Sequence, residues 1–165
     1  LETTRNGFGP MSALANLLLL GKEGLRVLLG HAVEMAQALR QEIDRESDLA
    51  VLNGENDGPV TLFRVYPPGT NKSAVREREL NDASFQGEAE RINDLNRKVF
   101  QRVWAEATAG RGIAISMTDC YRHSAFETPI AALKSYVLSP FTEVPQMRDL
   151  VRYVLSARDF VLETH

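Results

Sequence analysis

Cysteine is nearly absent from this 165-residue chain, Cys120 being the only one. A single thiol cannot close an internal disulfide or supply a metal cluster, so a reducing compartment, the cytoplasm, is expected. Lysine is also scarce: there are only Lys22, Lys72, Lys98 and Lys134. Net charge is -3, from 19 Lys and Arg against 22 Asp and Glu. That balance lacks the basic field nucleic acid requires. Long apolar runs are missing as well. The most apolar stretch, residues 13–20, is broken by Asn16 and closed by Gly21 and Lys22. It falls far short of the ~20 residues that cross a bilayer, and it lacks the basic leader and cleavage site of a signal peptide. Neither nucleic acid nor a membrane is therefore expected as a partner. No Gly-rich phosphate loop follows a strand, since Gly54 to Gly58 and Gly110-Arg111-Gly112 read as turns. His31, His123 and His165 have no partner at metal-ligand spacing, so no metal site is expected.

What remains is an ordinary globular composition, 44% apolar and 25% charged, which rules out disorder of the whole chain. This length fits one domain or one compact lobe, able to take roughly 70% of its unfolded surface out of water. The chain begins with Leu1 rather than Met, which suggests a piece of something longer.

The pattern of residues orders the elements. Residues 1–10 read as a loop rich in turn formers, with Pro10 suited to a first helical turn. Residues 11–20 are apolar almost all round, as in a buried helix, and Gly21 is a plausible stop. Residues 22–44 form the clearest amphipathic helix. Leu25, Leu28, Leu29, Ala32, Met35, Ala36, Leu39 and Ile43 follow helical spacing, with Arg26, Glu34, Arg40 and Glu42 on the wet side. Residues 49–52 and 60–66 read as an antiparallel pair of strands across a Gly-rich turn. The polar stretch 70–87 reads as a long exposed connection. Residues 88–107 are helical, with a stripe of Ile92, Leu95, Val99, Val103 and Ala107. Residues 113–117 form a strand, 119–129 a loop, and 130–138 a further strand with Ala132, Lys134 and Tyr136 on one face. Thr142 is a natural N-cap for the closing helix. The fold class is therefore α+β, with a mainly antiparallel sheet of about four strands. The buried-type helix at 11–20 needs more to pack against than this chain offers.

Few residues suggest chemistry. Cys120 has only His123, in a loop, as a possible base, so an incidental thiol is favoured. Lys134 stands mid-strand between apolar neighbours. It either snorkels to water from an edge strand, the favoured reading from pattern alone, or points a cation into a pocket. Arg5 follows Thr3-Thr4 just before the apolar helix; it is either an exposed loop residue or a bridge between lobes or to an anion.

Thr3-Thr4-Arg5, the run from Leu19-Leu20-Gly21-Lys22-Glu23-Gly24-Leu25, and the long helix through Ala36, Leu39 and Ile43 resemble a known family. So do Leu49-Ala50-Val51-Leu52-Asn53-Gly54-Glu55 and Ala132-Leu133-Lys134-Ser135-Tyr136-Val137-Leu138-Ser139-Pro140 with Thr142. The family is the group II pyridoxal-phosphate-dependent amino acid decarboxylases, which include glutamate, aspartate, aromatic amino acid and 2,4-diaminobutyrate decarboxylases. The resemblance spans nearly the whole chain except about 70–90, which reads as a flexible insertion. It implies the small C-terminal domain of a fold type I enzyme. Residues 1–45 would be the junction to a missing N-terminal large domain, and 46–165 the small domain itself. It also implies a pyridoxal 5'-phosphate cofactor, a homodimer and an amino acid substrate, acidic or a short diamino acid. The family's cofactor lysine follows a histidine, and no His-Lys pair occurs here, so the chain alone should be inactive. Lys134 matches the position of a family arginine that receives the substrate α-carboxylate, and Arg5 matches one at the domain junction. The alternative is a stand-alone α+β module that binds a small ligand or partner without catalysis.

Overall fold

A computed structural model describes residues 8–137 and 139–164. The elements run α1 (Phe8–Arg45), β1 (Leu49–Val51), β2 (Val60–Val65), α2 (Lys72–Asn81), a 3-10 turn (Ala83–Phe85), α3 (Gln86–Thr108), β3 (Ser116–His123), β4 (Pro129–Tyr136) and α4 (Val144–Glu163). The strands form one antiparallel sheet in the order β1-β2-β4-β3. The chain is α+β, with the sheet the sequence order implied.

α1 is broken where the sequence placed a stop. Gly21 takes φ 61°, ψ -173°, a left-handed φ that a side chain disfavours. Its two segments then diverge in burial. Beyond the break, Met35, Ala36, Leu39 and Ile43 point into the core, but Val27, Leu28 and Leu29 are exposed, so the expected apolar stripe is buried only from Met35 onward. Before it, Leu14, Leu17, Leu18 and Leu19 lie in the open, Leu19 being 83% exposed. The expectation that 11–20 is a buried helix is corrected: it is helical, but nothing among the described residues covers it.

One face of the sheet carries the main apolar core. Leu49, Phe63, Val65 and Leu133 meet Leu39 and Ile43 of α1, Val99 and Val103 of α3, and Leu150 and Val154 of α4. α4 begins with a capping box between Glu143 and Gln146, with Pro145 in its first turn. The cap is thus Glu143, one residue past the expected Thr142. Arg40 is also corrected. It is 9% exposed rather than wet, and its guanidinium donates to the carbonyls of Asn56, Gly58 and Val60. α1 thereby holds the β1–β2 turn in place.

β2 and β4 pair from Val60↔Tyr136 to Phe63↔Leu133 and no further. α3 takes over there. Asn96 accepts from the N–H of Val65 at 3.0 Å and donates to its carbonyl at 2.8 Å. Asn93 accepts from the N–H of Ala131 at 2.9 Å and donates to the carbonyl of Pro129 at 2.8 Å. Two side-chain amides thus take the place of a neighbouring strand. The backbone groups stay paired where leaving them buried and bare would be costly.

Residues 70–87 are not the exposed connection the sequence suggested. α2 has no apolar stripe, which is why periodicity missed it; polar links, together with Val75 against Ala50, Phe85, Ala89 and Ile92, hold it on the second face of the sheet. Asn71 caps it by accepting from Ala74 N–H. Lys72 donates to the carbonyls of Asp44 and Glu46, and the Leu80 carbonyl accepts from Ala125 N–H. Glu79 is 3% exposed and faces Arg64, which is fully buried. β3 also departs from expectation. It runs on to His123 through a register shift between Thr118 and Arg122, where a loop was expected. The bulge hides the alternation that marks a strand.

Candidate functional site

Lys134 occupies an interior strand. β4 lies between β2 and β3, and Lys134 is paired in register with Leu62 on one side and Ser116 on the other. The edge-strand reading is therefore corrected. Its ammonium sits 4.9 Å from the centre of the Tyr136 ring, a cation–π distance. Residues across a strand pair share a face, so Leu62, Lys134, Ser116 and Tyr136 stand on the same side. The first three are partly exposed and Tyr136 is 47% exposed. Among the described residues no carboxylate pairs with Lys134. Chemically this is an ammonium steadied by an aromatic face on an open stretch of sheet, able to meet a carboxylate as a point charge. Arg5, the other residue singled out from sequence, lies outside the described residues.

Farther along the same face, α2 closes over the sheet. Arg64 donates to Glu79 at 2.7 and 3.0 Å, to Asn93 at 2.9 Å and to the Ala131 carbonyl at 2.6 Å. The Tyr66 hydroxyl donates to the other oxygen of Glu79 at 3.0 Å. Burial first, and the Glu79 charge after it, push the Tyr66 phenol well above its ordinary value. Arg64 spends its donors on Glu79, Asn93 and the Ala131 and Ala89 carbonyls, and Arg64, Glu79 and Tyr66 are all buried, so this cluster fixes α2 and is closed to a ligand.

Beside it opens a cleft of about 650 Å³ lined by Val51 and Leu52, the turn at 53–56, Arg76 of α2 and Arg122 of β3. Arg76 donates to the carbonyls of Val51 and Leu52 at 3.0 and 3.3 Å. Sequence reasoning missed this cleft. Arg76 belongs to the charged run 76–79, which reads as a solvated face, and nothing around Arg122 marks it.

Other chemistry-bearing residues do not converge. His31 Nε2 lies 2.9 Å from the Thr142 carbonyl and ties α1 to the loop before α4. Cys120 Sγ is 3.6–3.7 Å from the His123 ring nitrogens on the exposed bulge of β3. Among the described residues no group of three His, Cys, Asp or Glu side chains is placed to hold a metal, and no helix is long and apolar enough to cross a membrane.

The described residues do not by themselves fit pyridoxal phosphate. The cofactor needs a lysine for its aldehyde and a carboxylate for its ring nitrogen. Lys22 and Lys98 are exposed on helices. Lys72 is spent on the carbonyls of Asp44 and Glu46, and Lys134 has no carboxylate beside it. Any cofactor chemistry must draw on residues other than these.

Comparison with known proteins agrees with the fold. No family model and no curated protein matches the chain. Solved structures do. Catharanthus roseus tryptophan decarboxylase in complex with L-tryptophan superposes with TM-score 0.56 at 16% identity, over 87% of this chain and 24% of that one. Mouse CSAD in its apo form gives TM-score 0.62 at 14% identity, over 86% of this chain and 26% of that one. The chain thus spans about a quarter of the length of the structures it matches, and at these identities the likeness is one of fold.

Proposed function

We propose that this chain is the C-terminal part of a pyridoxal-phosphate-dependent amino acid decarboxylase. One observation carries the reading: nearly all of the chain adopts the fold of about a quarter of two larger proteins, one of them a tryptophan decarboxylase in complex with its amino acid. The sequence motifs that resemble group II decarboxylases run in the same order along that fold. In this reading 1–45 joins an N-terminal large domain, which brings the cofactor and its lysine, and 46–165 is the small domain. Arg5 would sit at that junction. The uncovered leucines on the first segment of α1 support such a neighbour, because an apolar helical surface of this kind is costly to leave wet. A cytoplasmic homodimer and an acidic or short diamino acid substrate complete the proposal.

The chain's own contribution would be to receive the substrate's α-carboxylate on Lys134. A carboxylate brought to this ammonium gains a charge-assisted hydrogen bond, and Tyr136 shields one side of the pair. A lysine fixes charge and distance but not the planar orientation an arginine would impose. The bound amino acid would then be held by its carboxylate end more loosely than a two-pronged contact allows.

The test is made on the longer parent protein. Carbon dioxide release from a panel of amino acids should be dependent on pyridoxal phosphate. Lys134→Met should raise the Michaelis constant about tenfold or more, the value of one lost charge-assisted contact. Unchanged KM and turnover would remove Lys134 from the site. A parent that binds no pyridoxal phosphate would remove the reading altogether.

A further inference from the structure

The cleft beside α2 has a composition that the decarboxylase reading does not use. Its turn is closed by Asn56 N–H donating to the Asn53 carbonyl at 3.0 Å. Asn53 is committed to the strands, accepting from Leu62 N–H at 2.8 Å and donating to the Val60 carbonyl at 2.9 Å. From behind, Arg40 pins the carbonyls of Asn56, Gly58 and Val60. The turn is therefore held at both ends, by the Asn53 side chain on the strands and by the Asn56 carbonyl on Arg40. The N–H groups of Gly54 and Glu55 donate to nothing among the described residues. Two successive free amides in a fixed turn favour an anion.

Two guanidiniums share the cleft with those amides. Arg76 spends one donor on each of two carbonyls, leaving three of the five an arginine carries. Those two bonds hold its side chain over the cleft, and the Glu79–Arg64 pair holds the helix that carries it. Arg122 is exposed, and among the described residues no carboxylate pairs with it. Its position on the sheet follows from pairing with Ile130, four residues from Lys134 along β4. At 3.3–3.4 Å per strand residue that separation is about 13 Å. The cleft is thus distinct from the open surface around Lys134. One carboxylate, Glu55, stands on its wall, so two cationic side chains face one acidic one.

We propose that this cleft is a binding site for a compact dianion, a dicarboxylate or a phosphate monoester, gripped by Arg122 and Arg76 over the 53–56 turn. Planar guanidiniums match the paired oxygens of carboxylate and phosphate two by two. The volume admits a molecule of a dozen or so heavy atoms and excludes a folded macromolecule. With Glu55 against Arg76 and Arg122 the wall keeps a net positive charge, which attracts a dianion more strongly than a monoanion. The inference does not rest on the decarboxylase reading, since it concerns different residues and requires no cofactor.

The 165-residue chain, labelled with nitrogen-15, is titrated with malonate and separately with inorganic phosphate, at about 20 mM and about 150 mM salt. The expected result is a saturable shift of the Gly54 and Glu55 amide signals that weakens with salt. Arg122→Gln should weaken the apparent affinity about tenfold, the size of one charge-assisted contact. Lys98→Gln, which removes the same charge from an exposed face of α3, should leave it unchanged. Saturation by malonate alone assigns a dicarboxylate, and saturation by phosphate alone a phosphate ester. Shifts that never saturate, or that are equal in Arg122→Gln and Lys98→Gln, overturn the proposal.

Discussion

The two faces of the sheet are held by different mixtures of apolar packing and ion pairing. On one, α1, α3 and α4 bury Leu39, Val99, Leu133 and Val154 against each other without a charged group among them. On the other, α2 is bound chiefly through Arg64, Glu79 and Tyr66, with Val75 resting on a small cluster of Ala50, Phe85, Ala89 and Ile92. Apolar packing is non-directional and tolerates small shifts of a helix. The ionic face is directional: each oxygen of Glu79 has its own donor, and moving α2 by one residue would break every contact. The lesson is that α2 is placed more than it is stabilised. A buried ion pair is often no better than an apolar substitute for stability, yet breaking one partner is severe. The result is an accurately held Arg76 at the mouth of a cleft.

That contrast is best attacked from the ionic side first. Arg64→Met should cost about 3–5 kcal/mol in denaturant unfolding, because it strands the Glu79 charge. The double change Arg64→Met with Glu79→Met should recover much of the loss; a single variant as stable as the parent would mean that the pair does not hold α2. On the apolar face, Leu39→Ala should cost about 2–5 kcal/mol through the cavity it leaves. Leu18→Ala, on the uncovered segment of the same helix, should change stability by no more than about 0.5 kcal/mol in this chain. Similar losses for the two would show that the first segment is packed after all. The smallest effect at neutral pH belongs to Tyr66. Its phenol is raised in the folded state, so its contribution is complete below the ordinary tyrosine value near 10 and fades as pH climbs beyond it. Ultraviolet titration should show one tyrosine that ionises only as the fold is lost. Ionisation of all four tyrosines together, with the fold intact, would contradict the burial.

How much of this was legible follows the same division. β-branched and aromatic residues bounded by turns located β2, alternation located β4, and the 3.6-residue period located α3, α4 and the core half of α1, because those elements face apolar partners. It failed where partners are polar. Arg40 reads as a wet residue since no pattern reveals the loop carbonyls it meets. α2 reads as a connection because its one buried side chain is a glutamate. The first segment of α1 was rightly helical and wrongly buried: periodicity reports what a surface would bury, not whether a partner is present. For the site, Lys134 was visible as a cation among apolar neighbours, but its interior position depends on the strand order β1-β2-β4-β3. Arg122 carried no local signal, since a bulge and a tertiary cleft give it its setting.

The asparagines of α3 have one further consequence. A strand pair can slide by two residues and still present the same side chains to the same faces, so face alternation alone leaves that slip open. Here Asn96 engages both polar groups of Val65, and Asn93 those of Ala131 and Pro129. Each amide reads one backbone position, as a latch reads one notch. The helix thereby sets which residue of β2 stands opposite which residue of β4, and with it the place of Lys134 along the sheet.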